Sequence, residues 1–194
     1  MVRPREFDKE EVLQKATRVF WEHGFSASST DLLLKEMSIG RQTLYNTFGD
    51  KRQLYLEVLR SYQEQALSGH LERLNTPESP LQGIRQLLLG LAPADDSIRA
   101  LGCFGVGSVG EFGTSDPVLM AARASIQAVL QRRIESRVRE GQNLGELDAS
   151  LSAKEVAAFI QTAMVGLQIS ARAGADVRGM HAIANFTADR LKAV

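Results

Sequence analysis

Apolar residues return every third or fourth position along most of this chain, the spacing that lines one face of an α-helix. From Asp8 to about His23, Val12, Leu13, Ala16, Val19 and Phe20 keep that spacing, and Gly24 supplies a stop. Trp21 and Phe25 read as packing between this helix and the next. Ser28 and Asp31 stand at capping-box spacing, so a second helix is predicted from there, with Leu33, Leu34 and Met37 as its apolar face. Ser38, Ile39 and Gly40 break the pattern. A third helix from Arg41 shows only Leu44 and Phe48, at i, i+4, and its other positions (Arg41, Gln42, Thr43, Tyr45, Asn46, Thr47) are all hydrogen-bonding types. Gly49-Asp50 closes it and caps a fourth helix, which runs from near Lys51 to about Leu74 through Leu54, Tyr55, Val58, Leu59, Tyr62 and Ala66.

Asn75 to Pro80 reads as a linker, and Leu81 to Leu91 as a compact apolar helix ended by Pro93. Asp95 to Gly113 is anomalous, because Gly102, Gly105, Gly107, Gly110 and Gly113 crowd it. Each interior glycine costs a helix about 1 kcal/mol against alanine, so the segment is expected to allow close backbone approach or to bend. A phosphate-cradling loop is rejected, since no strand precedes Gly105 to Gly110. Asp116-Pro117 opens a helix through Leu119, Ile126, Leu130, Ile134 and Val138 to Gly141, with Arg132, Arg133, Arg137 and Arg139 expected as a solvated basic face. Ser152 and Glu155 cap another, carrying Val156, Phe159, Ile160, Ala163, Met164, Leu167 and Ala171 to about Ala173. A last helix begins at Val177 and carries Met180, Ile183, Ala184, Thr187 and Leu191.

The third helix sets the function question. A helix so short cannot hold itself in water, so Leu44 and Phe48 must pin it while the polar face points outward. Such a face suits a DNA major groove, where Arg pairs with guanine, Gln or Asn with adenine, and Thr or Tyr with phosphate or methyl groups. A short amphipathic helix on an ordinary helical domain fits the same pattern. Charge adds little, because 23 Lys and Arg balance 23 Asp and Glu, which predicts modest non-specific DNA affinity. Placement says more. Glu6, Asp8, Glu10 and Glu11 gather at the start of the first helix, while Arg3, Arg5, Arg41, Lys51 and Arg52 sit in the N-terminal arm and at the starts of the third and fourth helices. Lys51 and Arg52 oppose their helix dipole, a mismatch that points to phosphate contact.

Phe7 to about Leu59, with the run T-L-Y-x-x-F-x-x-K from Thr43 to Lys51, resembles the DNA-binding domain of the TetR family of bacterial repressors. The resemblance implies an all-α homodimer, with a helix-turn-helix domain at 1–52 bridged by helix four and a ligand-binding and dimerisation domain at 53–194. It also implies double-stranded operator DNA and a small-molecule inducer as partners, and pairing through the two C-terminal helices. Carried over by position, Arg41 and Gln42 face bases, Thr43 and Tyr45 meet phosphate or sugar, Asn46 meets either, and Thr30 and Lys51 clamp the backbone. Three positions depart from the family's pattern. Ser38 and Gly40 reverse the usual Gly and Ser around the turn, Gln42 replaces a frequent Gly, and Leu32 replaces a frequent Asp. The departure at Gln42 predicts one more base contact.

Other chemistry is sparse. His23, His70 and His181 have no metal-ligand spacing, and no acid–base cluster or nucleophile stands out, so neither metal, cofactor nor enzyme is expected. Cys103 reads as a buried inert thiol, with a thiol-sensing regulator as the alternative, since some members of the family sense oxidants or electrophiles that way. Tyr62, Phe104, Phe112, Met120, Met164 and Gln168 are the candidate ligand residues. One cysteine, a charged N-terminus and no long apolar run predict a cytoplasmic protein without a membrane span.

Overall fold

The structure, a computed structural model, describes residues 8–193. The arm bearing Arg3, Arg5 and Glu6, and Phe7 where the resemblance begins, lie outside the described residues. The elements are α1 (Lys9–Ala27), α2 (Thr30–Met37), α3 (Arg41–Phe48), α4 (Lys51–Asn75), α5 (Pro80–Leu89), α6 (Asp96–Leu101), α7 (Phe104–Phe112), α8 (Pro117–Asn143), α9 (Ala153–Arg172) and α10 (Val177–Asp189). Among the described residues the only β pairing is an isolated bridge between Leu147 and Lys192, so the fold is all-α. No helix among them is long and apolar enough to cross a membrane.

Side-chain caps start most of the helices: Asp8, Ser29, Asp50, Ser79, Asp116, Ser152 and Asp176 each accept a hydrogen bond from the first turn that follows. The cap of α2 is thus Ser29, one residue beyond the expected Ser28. Ser28 is instead fully buried, and its hydroxyl donates to the Gly24 carbonyl at 2.5 Å. It is needed there because α1 breaks at Gly24 (φ 78°, ψ 177°) before one more turn, which frees backbone groups that must find partners.

Two cores share α4. Val12, Ala16, Val19 and Phe20 of α1 meet Leu33, Met37, Leu44, Phe48, Leu54, Tyr55, Val58 and Leu59, and this cluster is completed by Phe104 of α7 and Leu119 of α8. Tyr55 is its hub, edge-on to Phe20 and Phe25 at 5.1 Å and to Phe104 at 5.5 Å. Its hydroxyl is buried facing Ser108, and burial, outweighing that polar neighbour, lifts its pKa to about 12. The second core joins Leu74 to Ile84, Leu87 and Leu88 of α5, Ile134 and Val138 of α8, Ile160 and Leu167 of α9, and Met180 and Ala184 of α10. Side chains of this kind contribute about 1.5–3 kcal/mol each when fully buried.

Several local expectations give way to packing. Trp21 packs against the first core and also reaches the end of α6, donating from Nε1 to the Leu101 carbonyl at 3.1 Å and standing 4.9 Å from the Tyr62 ring. Arg137 is not on a solvated face; it is 8 % exposed and donates to the carbonyls of Pro77 and Glu78 and, at 2.7 Å, to Glu140. The linker's prolines supply no N–H, so its carbonyls draw on a buried guanidinium. The glycine-rich stretch splits into α6 and α7. Only Gly102 is a close approach, where an added Cβ would lie 3.0 Å from the Gln168 carbonyl oxygen, whereas Gly107 and Gly110 have nothing within 4 Å.

Candidate functional site

α3 is held from below as its sequence requires. Leu44 is fully buried and Phe48 is 5 % exposed. Arg41, Gln42, Tyr45 and Asn46, at i, i+1, i+4 and i+5, are exposed together on its other side, flanked by half-buried Thr43 and by Thr30 at the start of α2. The open face is ordered by light contacts of its own. Arg41 pairs with Asp31 at 2.6 Å, and the Gln42 amide donates to Asn46 at 2.9 Å. Exposed pairs of this sort contribute little, so both are easily exchanged for an incoming partner. The turn before α3 carries the reversed residue order noted above. Ser38 is the only non-glycine among the described residues with positive φ, 56°, where a side chain costs about 1–2 kcal/mol.

Lys51 is placed differently from the other candidates. Its ammonium lies 4.3 Å from the centre of the Phe25 ring and is half-buried. Burial lowers its pKa, and the charge of Glu111 works in the opposite direction. Arg52, its neighbour, is paired with Asp116, the cap of α8.

Behind this head a cavity of about 1420 Å³ opens between α1, α4, α7, α8 and α9. Of the candidate ligand residues, Tyr62, Phe104, Met164 and Gln168 line it, and so does Cys103. Phe112 and Met120 do not. Phe112 packs 5.5 Å from both Phe25 and Tyr55 in the aromatic cluster, and Met120, next to buried Leu119 on α8, points outward at 39 % exposure. α7 gives the wall its room, since Gly107 and Gly110 present backbone alone.

The charged groups on that wall are already engaged. Arg123 donates to the Gly113 carbonyl at 3.0 Å. Arg172 donates to Leu101 at 3.0 Å and to Trp21 and Glu22 at 3.4 Å. Glu111 accepts from the Phe25 and Ser26 amides at 2.8 and 2.6 Å. His70 is held neutral, because burial, helped by the Arg73 charge, lowers its pKa to about 4. Between pH 6.5 and 4 the unfolded chain therefore binds a proton that the folded chain refuses, and stability falls as pH falls through that window. We expect His70 to cost the protein about 2–3 kcal/mol on going from pH 7 to pH 4.5. Urea unfolding at both values should show a smaller loss in His70→Gln; equal losses would refute this. Sequence reading missed Glu111, Arg172 and His70 as parts of this wall, and only the glycine crowding hinted at its position.

The family model for bacterial regulatory proteins of the tetR family matches residues 12–58, and that for the tetracyclin repressor-like C-terminal domain matches residues 90–186. The chain is 32% identical to the uncharacterized HTH-type transcriptional regulator YezE of Bacillus subtilis, over 91% of this chain and 92% of that one. To the HTH-type transcriptional repressor ComR of Escherichia coli it is 26% identical, over 95% and 89%. Among solved structures, a cysteine-substituted TetR family regulator, CifR, complexed with a 26-bp operator duplex superposes with a TM-score of 0.79 at 27% identity, covering 96% of this chain and 98% of that one.

Proposed function

Because the chain belongs to the TetR family of bacterial transcriptional regulators, we propose that it is a cytoplasmic, homodimeric repressor released from a palindromic operator by an uncharged, largely apolar small molecule. One observation carries the DNA reading: the polar side of α3 stands open above a buried Leu44 and Phe48. Arg41 and Gln42 read bases, Asn46 reads a base or holds phosphate, and Thr30, Thr43, Tyr45 and Lys51 hold the backbone. For Lys51 this means leaving the Phe25 ring. Residues 1–52 with the start of α4 form the reading head, and the remainder binds ligand and the second copy.

The cavity supports the nature of the inducer. Its wall is mostly aromatic and aliphatic, with Tyr62, Gln63, Ser108, Gln127, Gln161 and Gln168 among its polar points, and suits a largely apolar ligand oriented by a few hydrogen bonds. Arg123, Arg172 and Glu111 are committed to backbone partners, and His70 is neutral, so a net charge on the ligand would go uncompensated. Dimerisation through α9 and α10 is supported by Phe159, Ile169, Ile183 and Phe186, which are 51 to 58 % exposed along the two helices.

Capture of genomic fragments by the purified protein at physiological salt tests the reading. The expected product is a palindromic site whose two protected halves lie about one DNA turn, ~34 Å, or a multiple apart, bound by a dimer in light scattering. Retention without sequence preference would overturn it. Cys103 in the cavity wall beside Tyr62 favours a second reading, in which the ligand is an electrophile that alkylates the thiol. Release of the captured fragment by N-ethylmaleimide, absent in Cys103→Ser, would select that reading; release blocked in neither would dismiss it.

A further inference from the structure

The break in α1 at Gly24 leaves two kinds of backbone group without helical partners: N–H donors just after it and carbonyls just before it. Both are satisfied from the cavity wall, by residues far along the chain. Glu111, near the end of α7, takes the Phe25 and Ser26 N–H groups at 2.8 and 2.6 Å. Arg172, the last residue of α9, gives its guanidinium to the Trp21 and Glu22 carbonyls. The fit at the break is close. A Cβ at Gly24 would lie 3.1 Å from a Glu111 carboxylate oxygen, and its φ of 78° suits glycine.

We propose that Glu111 and Arg172 are the residues that transmit cavity occupancy to the reading head: they hold the α1 break from opposite polarities, and an uncharged ligand wedged against α7 and α9 shifts those two helices and so carries both side chains off the break without bonding to either. The inference rests on the reading of the cavity as the ligand site. Three further observations support it. Both side chains line the cavity while making these bonds. α7 is weakly built, with Gly105, Gly107 and Gly110 inside a nine-residue helix, each costing about 1 kcal/mol of helix propensity. And the break sits where movement reaches DNA contacts, since α2 follows within a few residues and Lys51 rests on Phe25. Burial works against the Glu111 charge, yet the two N–H groups, with Lys51 nearby, outweigh it and keep the carboxyl below its ordinary range.

The closed clamp fixes the angle between α1 and α2 and belongs to the DNA-binding form. Opening it spreads that angle over a range and lowers operator affinity. The test uses the full-length dimer, the captured operator and an uncharged dye, N-phenyl-1-naphthylamine, as cavity probe. In the wild type, amide exchange at Phe25 and Ser26 should accelerate about tenfold on saturation with dye, and operator affinity should fall by a similar factor. Glu111→Gln should exchange fast without dye, bind operator about five- to tenfold more weakly and respond little further to dye. Arg172→Met should do the same to a lesser degree. An unchanged far-ultraviolet spectrum and thermal midpoint separate this from misfolding. Glu111→Gln with wild-type protection and wild-type operator affinity would overturn the proposal, whether or not the dye binds. Failure of the wild type to retain any operator, by contrast, would sink the regulator reading and not the clamp, which the exchange arm still decides.

Discussion

Arg41→Ala is expected to fold normally and to lose about ten- to a hundredfold of the preference for operator over unrelated DNA, while retaining most of its affinity for unrelated DNA. The side chain is exposed, and its partner in the free protein is Asp31, also exposed. Removing it leaves no buried group unpaired and should cost the fold less than about 0.5 kcal/mol. In the major groove the same guanidinium can make a bidentate contact to guanine, worth about 1–3 kcal/mol of discrimination. Gln42→Ala should act the same way on adenine, and the Gln42–Asn46 hydrogen bond that it breaks is a surface one. Lys51→Ala and Tyr45→Phe form the contrast: operator and unrelated DNA should both weaken by a similar factor, and Lys51→Ala should lower the salt dependence by about one phosphate contact. Titration of operator and scrambled duplexes across salt concentrations separates the two classes. An unchanged operator-to-scrambled ratio in Arg41→Ala would remove Arg41 from base reading.

Gly83→Ala should destabilise the protein by about 2–4 kcal/mol, mostly by forcing α4 and α5 apart. Alanine is the better helix former by about 1 kcal/mol, so propensity alone predicts the opposite sign. Geometry decides it: the new methyl would sit 2.1 Å from the Leu74 carbonyl oxygen and 3.4 Å from Arg137 Nε. The oxygen belongs to backbone in the last turn of α4, and Arg137 is tied to Pro77 and Glu78, so neither can yield without disturbing the linker. Gly107→Ala is the control. It lies inside α7 with nothing within 4 Å of the added carbon, and should be neutral or stabilising by up to about 1 kcal/mol. Urea midpoints of the two variants should therefore move apart; a Gly83→Ala protein as stable as wild type would show that the α4–α5 crossing has slack.

The helices were legible where burial follows local periodicity. α3, with Leu44 and Phe48 as its two pegs, and α4, from its Asp50 cap, appear in the structure as the sequence suggests, because a cap or a breaker marks each boundary. The polar face of α3 was legible for the same reason: no apolar residue interrupts it between Leu44 and Phe48 apart from half-exposed Tyr45. What could not be read depends on contacts between distant segments. Ser28 looked like a cap and turned out to seal the α1 break. Arg137 has the spacing of a surface residue, and only the nearness of the linker carbonyls buries it. Phe112 and Met120 looked like pocket residues because aromatic and thioether side chains are common there, yet which way each turns is fixed by α7 meeting α1 and by the outward side of α8. Glu111 carried no signal at all, since its partners are backbone amides some 85 residues away.

The first core does not end where its own helices end. Phe104 and Leu119, from the second half of the chain, complete the cluster around Tyr55, and Trp21 and Arg52 are each tied to segments beyond α5. A fragment cut after α4 would wet one side of Tyr55 and Phe25 and forfeit about 1.5–3 kcal/mol for every large apolar side chain left uncovered. Grafting this head onto a relative's body would then need the facing patch of α7 and α8 to travel with it, which makes those two helices part of the minimal transplant.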